Sequence, residues 1–212
     1  AGLFAALASI ASANYWPDML HVRLAAATEA WDIAKTHNFS LPIVDCLPFF
    51  LADLMRLGDA PALRRLLDQG MFAANESRAP YLLTLCRHTE ALVAINEGRF
   101  GDAETWTTQA LESGRRLSED QAASTFGMQM FCLRREQGRL REALPMIEHF
   151  VRNNAQSRTW VPGLALLYAE LDMREQCQAQ FDRLPWERAT HPPRDASSTT
   201  VVLFAAEVCT YL

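Results

Sequence analysis

Apolar residues recur along most of this chain every three to four positions, the interval at which side chains share one side of a helix. Over residues 81–95, Leu82, Leu85, Cys86, Ala91, Leu92 and Ile95 line up in this way. No stretch of useful length alternates apolar and polar residues as a half-buried strand would. The pattern predicts an all-α protein with helices near 2–13, 18–36, 42–57, 60–73, 79–97, 101–116, 119–137, 141–153, 159–171, 174–184 and 197–211. Pro48 falls inside the third of these, where its missing N–H and its ring favour a kink.

The helices recur as a repeat. Leu51-Ala52-Asp53-Leu54-Met55-Arg56-Leu57-Gly58 is followed by Ala62-Leu63, and Ala91-Leu92-Val93-Ala94-Ile95-Asn96-Glu97-Gly98 by Ala103-Glu104 and Ala110-Leu111. Phe131-Cys132-Leu133-Arg134-Arg135-Glu136-Gln137-Gly138 is followed by Ala143-Leu144. The glycines at 58, 98 and 138 are 40 residues apart, and a weaker copy, Leu166–Met173, places Asp172 in the glycine position 34 residues later. A glycine just past a helix can turn left-handed and satisfy the last carbonyls without a Cβ penalty. Ala103, five residues after Gly98, and Ala110, two turns further on the same face, allow two helices to approach closely. Pairs of this kind bury little alone and must stack on their neighbours.

The predicted architecture is therefore a right-handed superhelical solenoid of antiparallel helix pairs, tetratricopeptide-like, with about 10–11 helices over residues 1–212 as a single domain. The repeat is weak over 1–40 and clearest over 42–184, and residues 197–212 form a partial terminal copy. The connection from Leu184 to Asp195 holds three of the ten prolines and cannot be helical throughout, with Asp195 or Ser197 placed to cap the next helix. In that last helix Val202, Leu203, Ala206 and Val208 form an apolar face without a sequential partner, so the sequence is expected to be a segment of a longer chain. Gly2–Ile10 is apolar enough to mimic a short signal core. It has no basic leading segment and soon meets Asn14 and Trp16-Pro17-Asp18, so it reads as a helix.

Composition narrows the function. A net charge of −5 argues against a general binder of nucleic-acid backbones, which carries a concentrated basic excess. No run of ~18 apolar residues predicts a membrane span. The five cysteines are odd in number and scattered singly, four of them in apolar stretches, with Cys177 the exception. That fits reduced core thiols and a cytoplasmic location. Lys35 is the one lysine among twenty basic residues, a sign of a GC-rich genome.

Over residues 88–212, and more loosely over 18–87, the sequence resembles the helical-repeat region of large bacterial signalling proteins. Those are built around an AAA or STAND-type ATPase and accompanied by a class III adenylate cyclase or a LuxR-type DNA-binding domain. The likeness is carried by Glu97-Gly98-Arg99-Phe100-Gly101-Asp102-Ala103-Glu104, by Ala110-Leu111-Glu112-Ser113-Gly114-Arg115-Arg116 and by Phe126–Arg139. It extends to Leu166–Leu171, the Pro193-Arg194-Asp195 turn and Ala206–Cys209. The resemblance implies a regulatory or interaction role, with any ATPase or cyclase activity lying outside these residues.

Candidate chemistry is sparse. There is no GxxxxGK[ST], for which the one lysine is unavailable, and no GxGxxG. His21, His37, His88, His149 and His191 are far apart, and neither HExxH nor CxxC occurs. Cys86 and His88, two apart, fall on different helix faces. Cys132 with His149 could be proposed as a thiol–imidazole pair, yet Cys132 sits between Phe131 and Leu133 as a core residue would. Glu119-Asp120 and Glu136 with Glu142 read as first-turn charges or solvated faces. The sequence therefore offers no catalytic, cofactor-binding or metal-ligating residues, and no enzyme activity is expected.

What remains is a binding surface. Arg87, Arg115, Arg116, Arg134 and Arg135 are candidates to face carboxylates or acidic peptides, against the plainer expectation of salt links with Glu90, Glu112 and Glu136. Tyr81, Phe126 and Tyr168 fall on the first helices of their pairs, which line the concave side of such a solenoid. Trp106, between Ala103 and Ala110, and Trp160 read mainly as core. The expected partners are a protein segment, neighbouring domains of the same chain or a small effector, as in maltose-activator-like regulators, and neither nucleic acid nor membrane. A stand-alone scaffold is the alternative, and an α-helical enzyme with a pocket inside the array is a third reading.

Overall fold

A computed structural model describes residues 2–13, 16–36, 42–153, 160–184, 186 and 198–212, with only the backbone of 42–46. Among these, the regular structure is helical and no strand occurs. The α-helices in chain order are α1 (Gly2–Ser12), α2 (Leu20–Thr36), α3 (Pro42–Leu57), α4 (Ala60–Ser77), α5 (Pro80–Asn96) and α6 (Phe100–Arg115). They continue as α7 (Glu119–Glu136), α8 (Leu144–Asn153), α9 (Trp160–Glu170), α10 (Arg174–Phe181) and α11 (Ser198–Tyr211). Contacts gather the chain into two compact units, Ala1–Phe126 and Gly127–Leu212.

In the first unit each helix packs on the next, from α1 against α2 through α5 against α6. Contacts also join α1 to α3 and α3 to α5, so the odd-numbered helices form a row. The connections after α3, α4 and α5 are too short to let neighbours run parallel, so α3 to α6 follow one another as antiparallel hairpins. Phe4, Leu7, Trp31, Leu51, Leu67 and Leu82 belong to one apolar core. Trp31 meets Phe50 edge-on at 6.4 Å between ring centres. In the second unit α8, α10 and α11 all pack on α9, whose residues from Trp160 to Ala169 are buried throughout. Trp160 stacks edge-on with Phe150, 4.9 Å away.

The equal spacing of the glycines has the predicted backbone cause. Gly58, Gly98 and Gly138 have φ of 70°, 73° and 68°, and Asp172 takes the same conformation at 57°. Each closes its helix with the same two bonds. At Gly98 its own N–H donates to Ile95 O and the N–H of Arg99 reaches back to Ala94 O. The same pair recurs at Gly58, Gly138 and Asp172. A fifth case ends α4, where Arg78 stands at φ 51° and Ala79 N–H reaches Ala74 O. The chain then re-enters a helix within two residues, as where Asp59 Oδ1 accepts from Ala62 N at 3.0 Å.

The hairpin of α5 and α6 is tight because the inner face of α6 carries small residues. Ala103, Thr107, Ala110 and Gly114 are all buried at helical spacing. A Cβ on Gly114 would come within 3.1 Å of Ala122 Cβ and 3.3 Å of Thr84 Cγ2, so a methyl group there would force its neighbours apart.

Several expectations change in detail. α3 runs continuously through Pro48. The segment after Gly138 opens as a single 3-10 turn, Leu140–Glu142, before α8 begins. In α11 the packed face is Val201, Ala205 and Val208, whereas Leu203 and Ala206 are exposed and Val202 is half-buried. The anticipated face was therefore rotated about the helix, with Val208 alone shared. Cys177, singled out as unlike a core thiol, is fully buried beneath the α9–α10 hairpin, and Cys209 is the exposed one. The proline-rich connection, the capping roles of Asp195 and Ser197, and His37, His191 and the Cys46 side chain lie outside the described residues. Among those described, no helix is long and apolar enough to cross a membrane.

Candidate ligand-binding site

Three helix ends converge in the first unit. α4 stops at the left-handed Arg78, and α5 starts at once, with Pro80 in its first turn and no side-chain cap from Ala79. The last turn of α6 closes the third side. Between them lies a cavity of about 410 Å³. Its charged lining is Arg78, Arg87 and Arg116 with Glu112, three guanidinium groups against a single carboxylate. Asn75 and Ser113 add polar atoms, and Ala79, Pro80 and Leu83 form an apolar wall.

These side chains are held to different degrees. Arg87 Nη1 donates to Gln109 O at 3.3 Å, which ties α5 to α6, while its Nε is buried with no hydrogen-bond partner. Thr84 Oγ1 donates to Ser113 Oγ at 2.8 Å across the same hairpin, and Ser113 donates in turn to Gln109 O. Arg78 and Arg116 are exposed, and neither forms an ion pair among the described residues.

The structure thus brings Arg87 and Arg116 of the anticipated surface to one cavity and does not bring Arg115 with them. Arg115 lies over its own helix end, 3.4 Å from Glu119. Tyr81 is 49% exposed and stands outside the cavity lining, one residue past Pro80. Phe126 is half-buried on α7. Glu90, expected as an arginine partner, takes both its bonds from Arg64 at 2.9 Å.

In the second unit the remaining candidates serve the packing. Arg134 is buried and donates to Gln137 Oε1 at 2.7 Å. Arg135 reaches Glu170 at 2.5 Å and Glu207 at 2.7 Å, which binds α7, α9 and α11 together. Tyr168 is buried, and its hydroxyl donates to Glu148 Oε1 at 2.6 Å. Burial first, and then that bond, pushes its hydroxyl up beyond the ordinary phenol range, so it stays a proton donor. It borders a smaller cavity of about 340 Å³ with Arg152 and Arg183.

Three of the described thiols are poorly set for attack. Burial pushes Cys86 up to about 12, with Glu90 adding to the effect, and raises Cys132 and Cys177 as well. His149, the imagined partner of Cys132, contacts Asn153 Nδ2 at 2.9 Å. Among the described residues no group of three His, Cys, Asp or Glu side chains could hold a metal ion.

Arg78 escaped the sequence reading. Its one outward signal is its position, just after an amphipathic run and just before Ala79-Pro80, where a helix must stop and another start. Compared with the models of known protein families, with curated proteins and with solved structures, the chain matches none of them.

Proposed function

We propose that this chain is a tetratricopeptide-like binding module of a bacterial signalling or transcriptional regulator, and not a catalyst. In this reading its helix pairs stack with a right-handed superhelical twist and recognise a protein segment or a small effector. The observation that carries it is the recurrence of one helix-ending device, the left-handed residue with its paired back-bonds, at 58, 98, 138 and 172. Repeats of one hairpin unit build extended surfaces, and such surfaces are used for recognition. The chemistry leans the same way. The buried thiols are held protonated, whereas three guanidinium groups converge on one cavity with a single carboxylate among them. The assignment to a regulator rests on the resemblance over 88–212.

A direct test offers the purified chain an array of acidic, basic and neutral peptides together with a panel of small metabolites. Saturable binding to a restricted subset, weakening with added salt, is the expected result. If nothing in either set binds saturably, or if the chain turns over one of the metabolites, the reading fails.

A further inference from the structure

We propose that the cavity between the ends of α4, α5 and α6 is a receptor site for a small organic anion. The ligand carries a carboxylate or phosphate group for Arg78, Arg87 and Arg116 and a short body that rests on Pro80 and Leu83. The inference deepens the binding reading above and rests on it only in taking the chain as a receptor.

Size suits a small occupant. A cavity of about 410 Å³ matches the volume of one small molecule. Charge decides the ligand's sign. Three arginines and one glutamate line it, in a chain whose net charge is −5, so the excess is local and runs against the composition. The first turn of α5 lies in the same wall and has no side-chain cap, which adds the positive end of a 17-residue helix.

Arg87 is held in place at this wall. Its Nη1 is already fixed on Gln109 O, so the guanidinium plane is oriented before any ligand arrives. A planar fork held in this way suits the paired oxygens of a carboxylate or phosphate. Arg78 points in the same direction. Of the four other positions where a helix ends left-handed, three hold glycine, which adopts that backbone without strain, and one holds Asp172. Position 78 carries arginine despite the strain, and its side chain lines the cavity. Glu112 is the acceptor on the same wall. It matches a ligand that also bears a hydroxyl or amino group, so a hydroxy acid is favoured over the bare anion.

The test uses the full chain with three probes, inorganic phosphate, succinate and malate, at constant ionic strength in chloride. Binding is read from the backbone amide resonances of Ala79 and Leu83 and from the thermal midpoint. Saturable shifts are expected, with malate tighter than succinate, and the phosphate arm tells which anionic group the site prefers. Arg78→Gly relieves the left-handed strain and Arg116→Gln alters an exposed side chain, so both variants should fold. Each is expected to weaken binding about tenfold or more, the usual worth of a charged hydrogen bond. No response at Ala79 and Leu83 to any probe would overturn the proposal, and so would unchanged affinity in the double variant. If the site fails in either way, saturable peptide binding by the same chain would still leave the module reading standing.

Discussion

Five residues in the described chain end a helix in the left-handed conformation, and only three of them are glycines. A side chain in this region costs about 1–2 kcal/mol through contact of its Cβ with the following carbonyl. At Gly98 an added Cβ would meet nothing within 4 Å, so Gly98→Ala isolates that conformational cost. Its urea midpoint should fall by the equivalent of about 1 kcal/mol. Arg78→Gly should move the midpoint the other way by a similar amount. An unchanged midpoint for Gly98→Ala would mean that the left-handed cap is not the conformation in solution. The thiols allow a second comparison. Cys209 is exposed, whereas Cys86 is buried and pushed up to about 12. At pH 8 iodoacetamide should label Cys209 well before Cys86, as peptide mass mapping would read. Equal rates would show that the α3–α5 core opens far more readily than its packing implies.

Between elements, a buried polar link joins α1, α2 and α3. Arg23 is fully buried on α2 and donates to Ala11 O at 3.1 Å and to Asp53 Oδ1 at 2.6 Å, and Arg56 approaches the same oxygen at 3.3 Å. Burial raises the Asp53 carboxyl above its ordinary range and outweighs the pull of Arg23 and Arg56. Desolvation wins because Asp53 is also completely enclosed and its Oδ2 has no hydrogen-bond partner. A raised value means that the folded state holds the proton more tightly than the unfolded one. The stability this group contributes is present below the ordinary carboxylate range and is lost as pH rises through the raised value. Asp53→Asn keeps an acceptor for Arg23 and cannot ionise. It should cost less than about 1 kcal/mol at pH 7 and abolish that downward slope in a series of denaturant titrations. A loss of about 3–5 kcal/mol would show instead that the charge pair dominates.

These elements were largely readable in advance, for a physical reason. Helix ends near Gly58, Gly98 and Gly138 were legible because one residue type relieves the strain that the turn imposes. Arg78 was not, since nothing in an arginine announces a left-handed backbone. The α11 face differs from the expected one because every residue from Val201 to Ala206 is apolar, and only packing against α9 chooses among them. In the site, Arg87 and Arg116 could be picked by type. Their separation from Arg115 follows from the helix, where adjacent residues point about 100° apart. The cavity itself was beyond reach, because it is assembled from the ends of three helices.

At the scale of the whole molecule, the two compact units each carry their own aromatic reporter, Trp31 beside Phe50 in the first and Trp160 beside Phe150 in the second. Stability in a repeat protein is close to a sum of local terms, each repeat supported by its immediate neighbours. Under the proposed stacking, a change in one unit should then register more strongly on that unit's tryptophan. Arg135 is the suitable probe. It holds Glu170 and Glu207 at once, and with about a third of each side chain exposed the network is worth only about 1 kcal/mol. In variants that keep a single tryptophan, Arg135→Met should lower the urea midpoint reported by Trp160 and shift that reported by Trp31 less. Equal shifts at both would describe one cooperative block, in which every helix depends on every other. That result would remove the energetic basis for treating the chain as stacked repeats, even though the spacing of its left-handed caps would stand.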